Sequence, residues 1–240
     1  MGRSAASRAV RVGLGGLLLI AAGCKGTVSG SGTVTSTPVP VSTFSRLEVS
    51  NAFVVNVSFG DQENVTLRVD DNLVGHLDVG VSAGTLHVGL ESGTSVRDAT
   101  LHADVTARTL SGIDISGASQ VHLSDVLTGE RVEVVLSGAG RLDGTAHVDL
   151  AKLELSGASN AKVSGSARRL EVTDSGASRL DAVDLDVSDL AIDLSGASTA
   201  DVSVTGTISA AVSGASSFHY RGSPTFTRRE VSGGSSIEPA

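Results

Sequence analysis

From about residue 44 onward, apolar and polar residues alternate in short runs, which predicts strands with one buried face. Leu47 and Val49 begin the pattern, Phe53, Val55, Val57 and Phe59 continue it, and Val65, Leu67 and Val69 follow. Asp70-Asp71-Asn72 then forms a cluster of turn-favouring residues. Two further runs, Leu77-Val79-Val81 and Leu86-Val88-Leu90, flank Ser82-Ala83-Gly84. That spacing suits a hairpin. It suits an early, degenerate unit of a repeat equally well, and both alternatives stay open at this level.

The second half of the chain is periodic. Ser-Gly-Ala-Ser begins at Ser116, Ser156, Ser175, Ser195 and Ser213, with Ser-Gly-Ala-Gly at Ser137 and Ser-Gly-Gly-Ser at Ser232. The starts lie 18 to 21 residues apart. A period near twenty is the mark of a solenoid, whose units are too small to bury their own apolar face and are stable only when stacked. One and three positions before each motif the residues are apolar, from Ile113 and Ile115 to Ala210 and Val212, with Asp174 as the exception. The positions between them are largely polar. The predicted fold is therefore all-β, a right-handed parallel β-helix or β-solenoid with coils of about 19–20 residues.

Carrying the same parity through the motif predicts that its first Gly and second Ser both face inward at a corner. The residues concerned are Gly117 and Ser119, Gly138, Gly157 and Ser159, Gly176 and Ser178, Gly196 and Ser198, and Gly214 and Ser216. An inward hydroxyl requires a partner, and the same Ser of the next coil is the expected one. Gly140 takes the Ser position in the second motif.

Composition supports this reading. Gly numbers 29 and Pro 4, aromatic residues make up 2% of the chain, and there is no Trp. Residues 1–23 carry Arg3, Arg8 and Arg11 ahead of an apolar run from Val12 to Ala22, too short to span a bilayer as a helix. The run ends at Ala21-Ala22-Gly23-Cys24, and Cys24 is the only cysteine. This junction resembles the lipobox of bacterial lipoproteins, although Ala21 stands where Leu is usual. The resemblance implies cleavage before Cys24, acylation of Cys24 and attachment to the membrane through its acyl chains. Ala21-x-Gly23 would also permit ordinary secretory cleavage. Lys25, rather than Asp, follows the cysteine, which by analogy implies the outer membrane. Residues 24–43 are rich in Gly, Ser, Thr and Pro and read as a flexible tether. The domain plan is thus a 1–23 signal peptide, a 24–43 tether and a 44–236 solenoid, with the clearest repeats in 111–236.

Removing residues 1–23 removes three arginines and no acids, taking the formal charge from −8 to −11. Such a surface repels nucleic acid, which is excluded as a partner. The repeated Ser-Gly-Ala-Ser motifs, the segment Phe44 to Val49 and the ending Tyr220-Arg221-Gly222-Ser223-Pro224 resemble the head GIN domain family of auto-transporter adhesins. The resemblance covers about residues 44–236. It implies an all-β repeat body in an envelope protein and supplies no catalytic residues.

Catalytic chemistry finds little footing. There is no Gly-x-Ser-x-Gly elbow, and the recurring Ser has no fixed His companion. His76, His87, His102, His122, His147 and His219 form no ligand pair at metal-binding spacing. Asp181, Asp184, Asp186, Asp189 and Asp193 cluster and read chiefly as a solvated face, with a weak cation site as the alternative. No cofactor is implied. The expectation is a non-catalytic, lipid-anchored envelope protein that meets an envelope, surface or polysaccharide partner. The alternative is a polysaccharide lyase or hydrolase on the same fold, for which neither a consistent acid pair nor an aromatic platform is present.

Overall fold

The computed structural model describes residues 27–240. The expected signal peptide and Cys24 lie outside the described residues. The fold is a β-solenoid of about 7 turns, almost entirely strand and built from stacked parallel coils. Three strands, Arg141–Gly157, Asn160–Gly176 and Arg179–Gly196, each run nearly a whole coil and pair in parallel with the next. Their partners sit one repeat away, as Leu142↔Ala161 and Ala161↔Leu180 illustrate. The spacing of the tetrapeptide in the sequence is therefore the length of one coil.

The period-two face becomes the core. Ile113, Val134, Leu153, Val172, Ile192 and Ala210 form one buried row, and Ile115, Leu136, Leu155, Leu194 and Val212 a second. Val121, Leu142, Ala161, Leu180, Ala200 and Phe218 line the interior beyond the corner. Stacking like on like lets the rows fill their space almost entirely with Val, Leu, Ile and Ala, with Phe218 ending the third row, so a core with few aromatics still packs.

The first half of the body combines the two alternatives that its sequence left open. Leu77–Ser82 and Thr85–Leu90 form an antiparallel hairpin. Ala83 and Gly84 at its tip have φ of 50° and 78°, as a two-residue primed turn requires. Yet Thr85–Leu90 and Leu101–Ala107 also make a parallel coil, pairing with Arg46–Val49 and Val54–Phe59 respectively. On their other side, Arg46–Val49 and Val54–Phe59 pair with Gly112–Ile115 and Gln120–Leu123. Stacking order thus departs from chain order, because the coil of residues 46–59 is sandwiched between two later ones. Its corner is Ser50-Asn51-Ala52-Phe53, with φ of 59° at Asn51 and 65° at Ala52. Phe53, fully buried, takes the inward position that Ser occupies elsewhere.

Residues 27–43 of the expected tether are largely ordered strand. Thr27–Ser29 pairs with Ser95–Arg97, and Val34–Val39 pairs antiparallel with Asn64–Asp70. Thr35, Thr37 and Val39 are half-buried opposite Val69, Leu67 and Val65, while Pro38 is exposed, as an edge strand tolerates. Alternating half-buried residues suffice for an edge strand over the end of the column, and that need hides in linker-like composition. Asn64–Asp70 pairs in turn with Leu101–Ala107, antiparallel, so the N-terminal end of the stack is closed by a cap of different topology. Asp70, buried there, accepts the amides of Gly32 and Thr100 at 2.8 and 2.7 Å.

At the other end, among the described residues, Thr225–Val231 pairs only with Thr199–Val212, and Ser236–Pro239 only with Ser217–Arg221. Free edges of this kind invite pairing with other chains. Here the pairing register shifts between Ile208 and Ser209, and Arg228, Arg229, Glu230 and Pro239 lie on the edge strands; bulges, charges and proline all discourage such pairing. The Arg229 guanidinium lies 5.4 Å from the centre of the Phe226 ring and donates to the Ile237 carbonyl at 2.8 Å.

The corners correct one sequence expectation and support another. Ser119, Ser159, Ser178, Ser198 and Ser216 are buried, with Gly140 in the same row. Gly117, Gly138, Gly157, Gly196 and Gly214, in contrast, are exposed, and Gly176 is half-exposed. All six have positive φ. A left-handed residue turns the chain around the corner and breaks the alternation for one position, after which parity resumes at the Ser. The Cβ that alanine would add at Gly157 would lie 2.5 Å from the Gly138 carbonyl oxygen of the coil below. Gly157→Ala is therefore expected to cost about 2 kcal/mol or more. Gly129→Ala, where the added Cβ meets no atom within 4 Å, is expected to change stability by less than about 0.5 kcal/mol. Urea unfolding of the two variants checks the contrast.

Candidate binding surface

Each corner is held by main-chain bonds between coils. The amides of Ala139, Ala158, Ala177, Ala197 and Ala215 donate to the carbonyls of Gly117, Gly138, Gly157, Gly176 and Gly196, each at 2.7 Å. Four of the five buried Ser hydroxyls find main-chain partners rather than each other, contrary to the expected hydroxyl column, and Ser178 is the exception. Ser159 Oγ donates to its own Ser156 carbonyl at 2.7 Å, and Ser198 Oγ to Ser195 at 3.3 Å. Ser119 Oγ accepts the Ala52 amide, and Ser216 Oγ accepts the Ser198 amide. The first Ser of the motif also has a structural task. The hydroxyls of Ser116, Ser156, Ser195 and Ser213 each donate to a carbonyl of the coil beneath, at 3.2–3.4 Å. Engaged in this way, the recurring serines are parts of the scaffold.

What remains for recognition is the outward side of the strands. On one face, Arg46 reaches Asp114 at 3.1 Å and Glu133 at 3.4 Å, and Lys152 reaches Glu133 at 3.3 Å and also contacts Glu154. The network therefore spans four adjacent coils. Asp114 chiefly holds the Arg46 guanidinium above its ordinary value, and Glu154 does the same for the Lys152 ammonium. The hydrogen bond from Lys152 is the main cause that lowers the Glu133 carboxyl, reinforced by Arg46. Nearer the C-terminal end of this face, Arg228 pairs with Glu230 at 2.7 Å and approaches Asp193 at 3.7 Å. There an open cleft of about 650 Å³ is lined by Thr173, Asp193, Ser195, Ala211, Ser213 and Glu230, among others.

A second face carries another alternating row. His122 contacts Asp143, Lys162 lies 3.9 Å from Asp181, and Asp201 accepts both Arg179 at 2.8 Å and His219 at 2.9 Å. Back on the first face, Glu48, in register with Asp114, pairs with His87 at 2.9 Å, and elsewhere His147 lies 2.8 Å from Ser166. The acidic run of residues 181–193 is spread along its coil rather than gathered. Asp181 faces Lys162, Asp189 accepts the Thr207 hydroxyl at 2.5 Å, and Asp193 faces Arg228. Among the described residues, no group of three or more His, Cys, Asp or Glu could hold a metal ion. The weak cation site that the acidic run allowed is not assembled.

Sequence reasoning had no signal for these cross-coil ion pairs beyond the coil length, since every pair joins residues about one repeat or more apart. With the register in hand, Glu133–Lys152 and Arg179–Asp201 follow from a spacing of about twenty. Within the described interior, an apolar void of about 30 Å³ between Leu123, Leu142 and Val163 has room for about one water molecule.

Comparison with known proteins agrees with the architecture. The family model "Putative auto-transporter adhesin, head GIN domain" matches residues 43–224. A putative adhesin from Bacteroides fragilis superposes with a TM-score of 0.83 at 21% identity, covering 89% of this chain and 100% of that one. A putative lipid binding protein from Parabacteroides distasonis gives 0.75 at 17% identity, over 90% and 100% of the two chains. A putative adhesin from Parabacteroides merdae gives 0.73 at 17%, over 89% and 99%. No curated protein matches the chain by sequence.

The charged network generates a prediction with a defined sign. The Glu133 carboxyl is lowered in the folded state, so its stabilising contribution is complete above the ordinary carboxylate range and disappears as pH falls through the lowered value. Its partners are partly exposed, so Glu133→Gln is expected to cost less than about 1 kcal/mol at neutral pH. The difference between wild type and variant should shrink toward zero in acid, measured by urea unfolding from pH 7 down to pH 3.

Proposed function

Because the chain belongs to the head GIN domain family of auto-transporter adhesins, we propose that it is a non-catalytic envelope adhesin held to the membrane by acyl chains on Cys24. The observation that carries this reading is the division of labour within each coil. The recurring Ser and Gly are committed to main-chain bonds and close stacking, while the charged rows face outward on adjacent coils. Contact with a partner is then spread along a rigid surface, as adhesion requires. The mixed rows and net negative charge suit an envelope or surface partner, or a polysaccharide, read through many weak polar contacts. Nucleic acid is repelled.

Membrane attachment is assigned to Cys24 rather than to the body. No helix among the described residues is long and apolar enough to cross a membrane. A void of about 30 Å³ cannot admit an acyl chain, so the lumen is no counterpart of the lipid binding named for the Parabacteroides distasonis protein. The cap formed by residues 27–39 leaves only a short leash between Cys24 and the solenoid, so the anchored body would stand close to the bilayer. Lys25 after the cysteine favours the outer membrane.

The test separates anchor from adhesion. In cells producing the full chain, Cys24→Ala is expected to move the protein from the membrane fraction to the soluble fraction; retention in the membrane would overturn the anchor. Cells carrying the wild type should bind polysaccharide- or protein-coated surfaces better than a deletion strain, with no release of sugar reducing ends. Equal binding by the deletion strain would overturn adhesion, and sugar release that disappears with the protein would favour the enzyme.

A further inference from the structure

One coil departs from its neighbours in three ways at a single corner. Where the other coils of the repeat place Ile, Leu or Val, this one has Asp174, paired in register between Leu155 below and Leu194 above. The residue is only 1% exposed, and neither carboxyl oxygen has a hydrogen-bond partner. Ser178, the buried Ser of the same corner, likewise has an unpartnered hydroxyl, whereas Ser159 and Ser198 bond to carbonyls of their own corners. Finally, Gly176 between them has a φ of 136°, while the other corner glycines lie between 68° and 85°. A distorted corner with three orphaned oxygens is what results when a polar group occupies an apolar position.

We propose that Asp174 is a proton-binding switch inside the solenoid: neutral, it packs in the Leu155–Leu194 row; ionised, it loosens the corner of residues 174–178. Among the described residues no cation lies beside the buried carboxyl, so neutralisation is the least costly response. Desolvation indeed raises the Asp174 carboxyl, with the Ser198 and Ser178 hydroxyls opposing the shift from nearby without hydrogen-bond geometry. Among the described residues, no other titratable side chain packs against it from its own strand or the two adjacent ones. On its own strand Glu171 and Thr173 point outward, as do Glu154 on the strand below and Asp193 on the strand above. Among the buried residues described, the only other carboxylate is Asp70, satisfied in the N-terminal cap.

The sign follows from the raised value. The neutral form is favoured in the folded state, so its contribution is complete below the ordinary carboxyl value and is lost as pH rises through the raised one. The experiment compares thermal unfolding of the full chain with Asp174→Leu, which restores the apolar row, and Asp174→Asn, which keeps the shape without a titrating proton. Asp174→Leu should match or exceed wild type at pH 4, and its advantage should widen by about 2–4 °C by pH 8. Asp174→Asn should also gain on wild type with rising pH, whatever its fixed offset. Hydrogen exchange corrected for intrinsic rate should show the Ala177 and Arg179 amides losing protection with pH in wild type and keeping it in Asp174→Leu. Differences that stay constant from pH 4 to pH 8 in both variants, or unchanged protection at the corner, would overturn the proposal.

Discussion

The column depends on glycine resting on glycine. At five successive corners an alanine amide donates to the glycine carbonyl of the adjacent coil at 2.7 Å, and the left-handed backbone needed to turn there is one that L-residues adopt only at a cost. The stacking leaves no room for a Cβ between successive coils. From Gly138 to Gly214, an added methyl would come within 2.3–2.8 Å of the carbonyl oxygen beneath. Two independent constraints, torsional and steric, thus fall on the same residue. The corner in turn sets the register of both flanking strands, and with it the apolar rows and the outward charges.

That constraint explains which features the sequence revealed. Parity placed the two apolar rows and the buried Ser correctly because a strand's alternation is local. It misplaced the glycines because a left-handed residue interrupts alternation, and a count of odd and even positions cannot see torsion. The coil at 46–59 escaped the repeat because Asn51 supplies the left-handed turn and Phe53 fills the space of Ser. Its position between two later coils is a long-range pairing that no window of sequence contains. The strands at residues 27–39 were hidden for a different reason. Thr35, Thr37 and Val39 need only half-burial over the cap, and Ser, Thr and Pro between them look like a linker.

The outward surface was legible only in outline. Acidic excess and scattered His and Arg could be counted, but their pairing required the coil length to be converted into neighbours. Once it is, Arg46, Asp114, Glu133, Lys152 and Glu154 become one network across the coils, and His219 and Arg179 share Asp201. Individually such partly exposed pairs stabilise little. Their greater consequence is a fixed pattern of charge on a rigid support, the property that an adhesive surface requires. Asp174 alone among the repeat's inward residues breaks this separation of apolar inside from charged outside.

The central claim is that the corners are the firmest part of the molecule rather than mobile surface turns. Native-state hydrogen exchange measures this directly. The amides of Ala139, Ala158, Ala197 and Ala215 are exposed at the surface by residue but bonded to the next coil. They should exchange only through global unfolding, with protection equal to that of the Leu153 and Ile192 core amides. Exchange at the rate of ordinary exposed turns, while the core amides stay protected, would contradict the account.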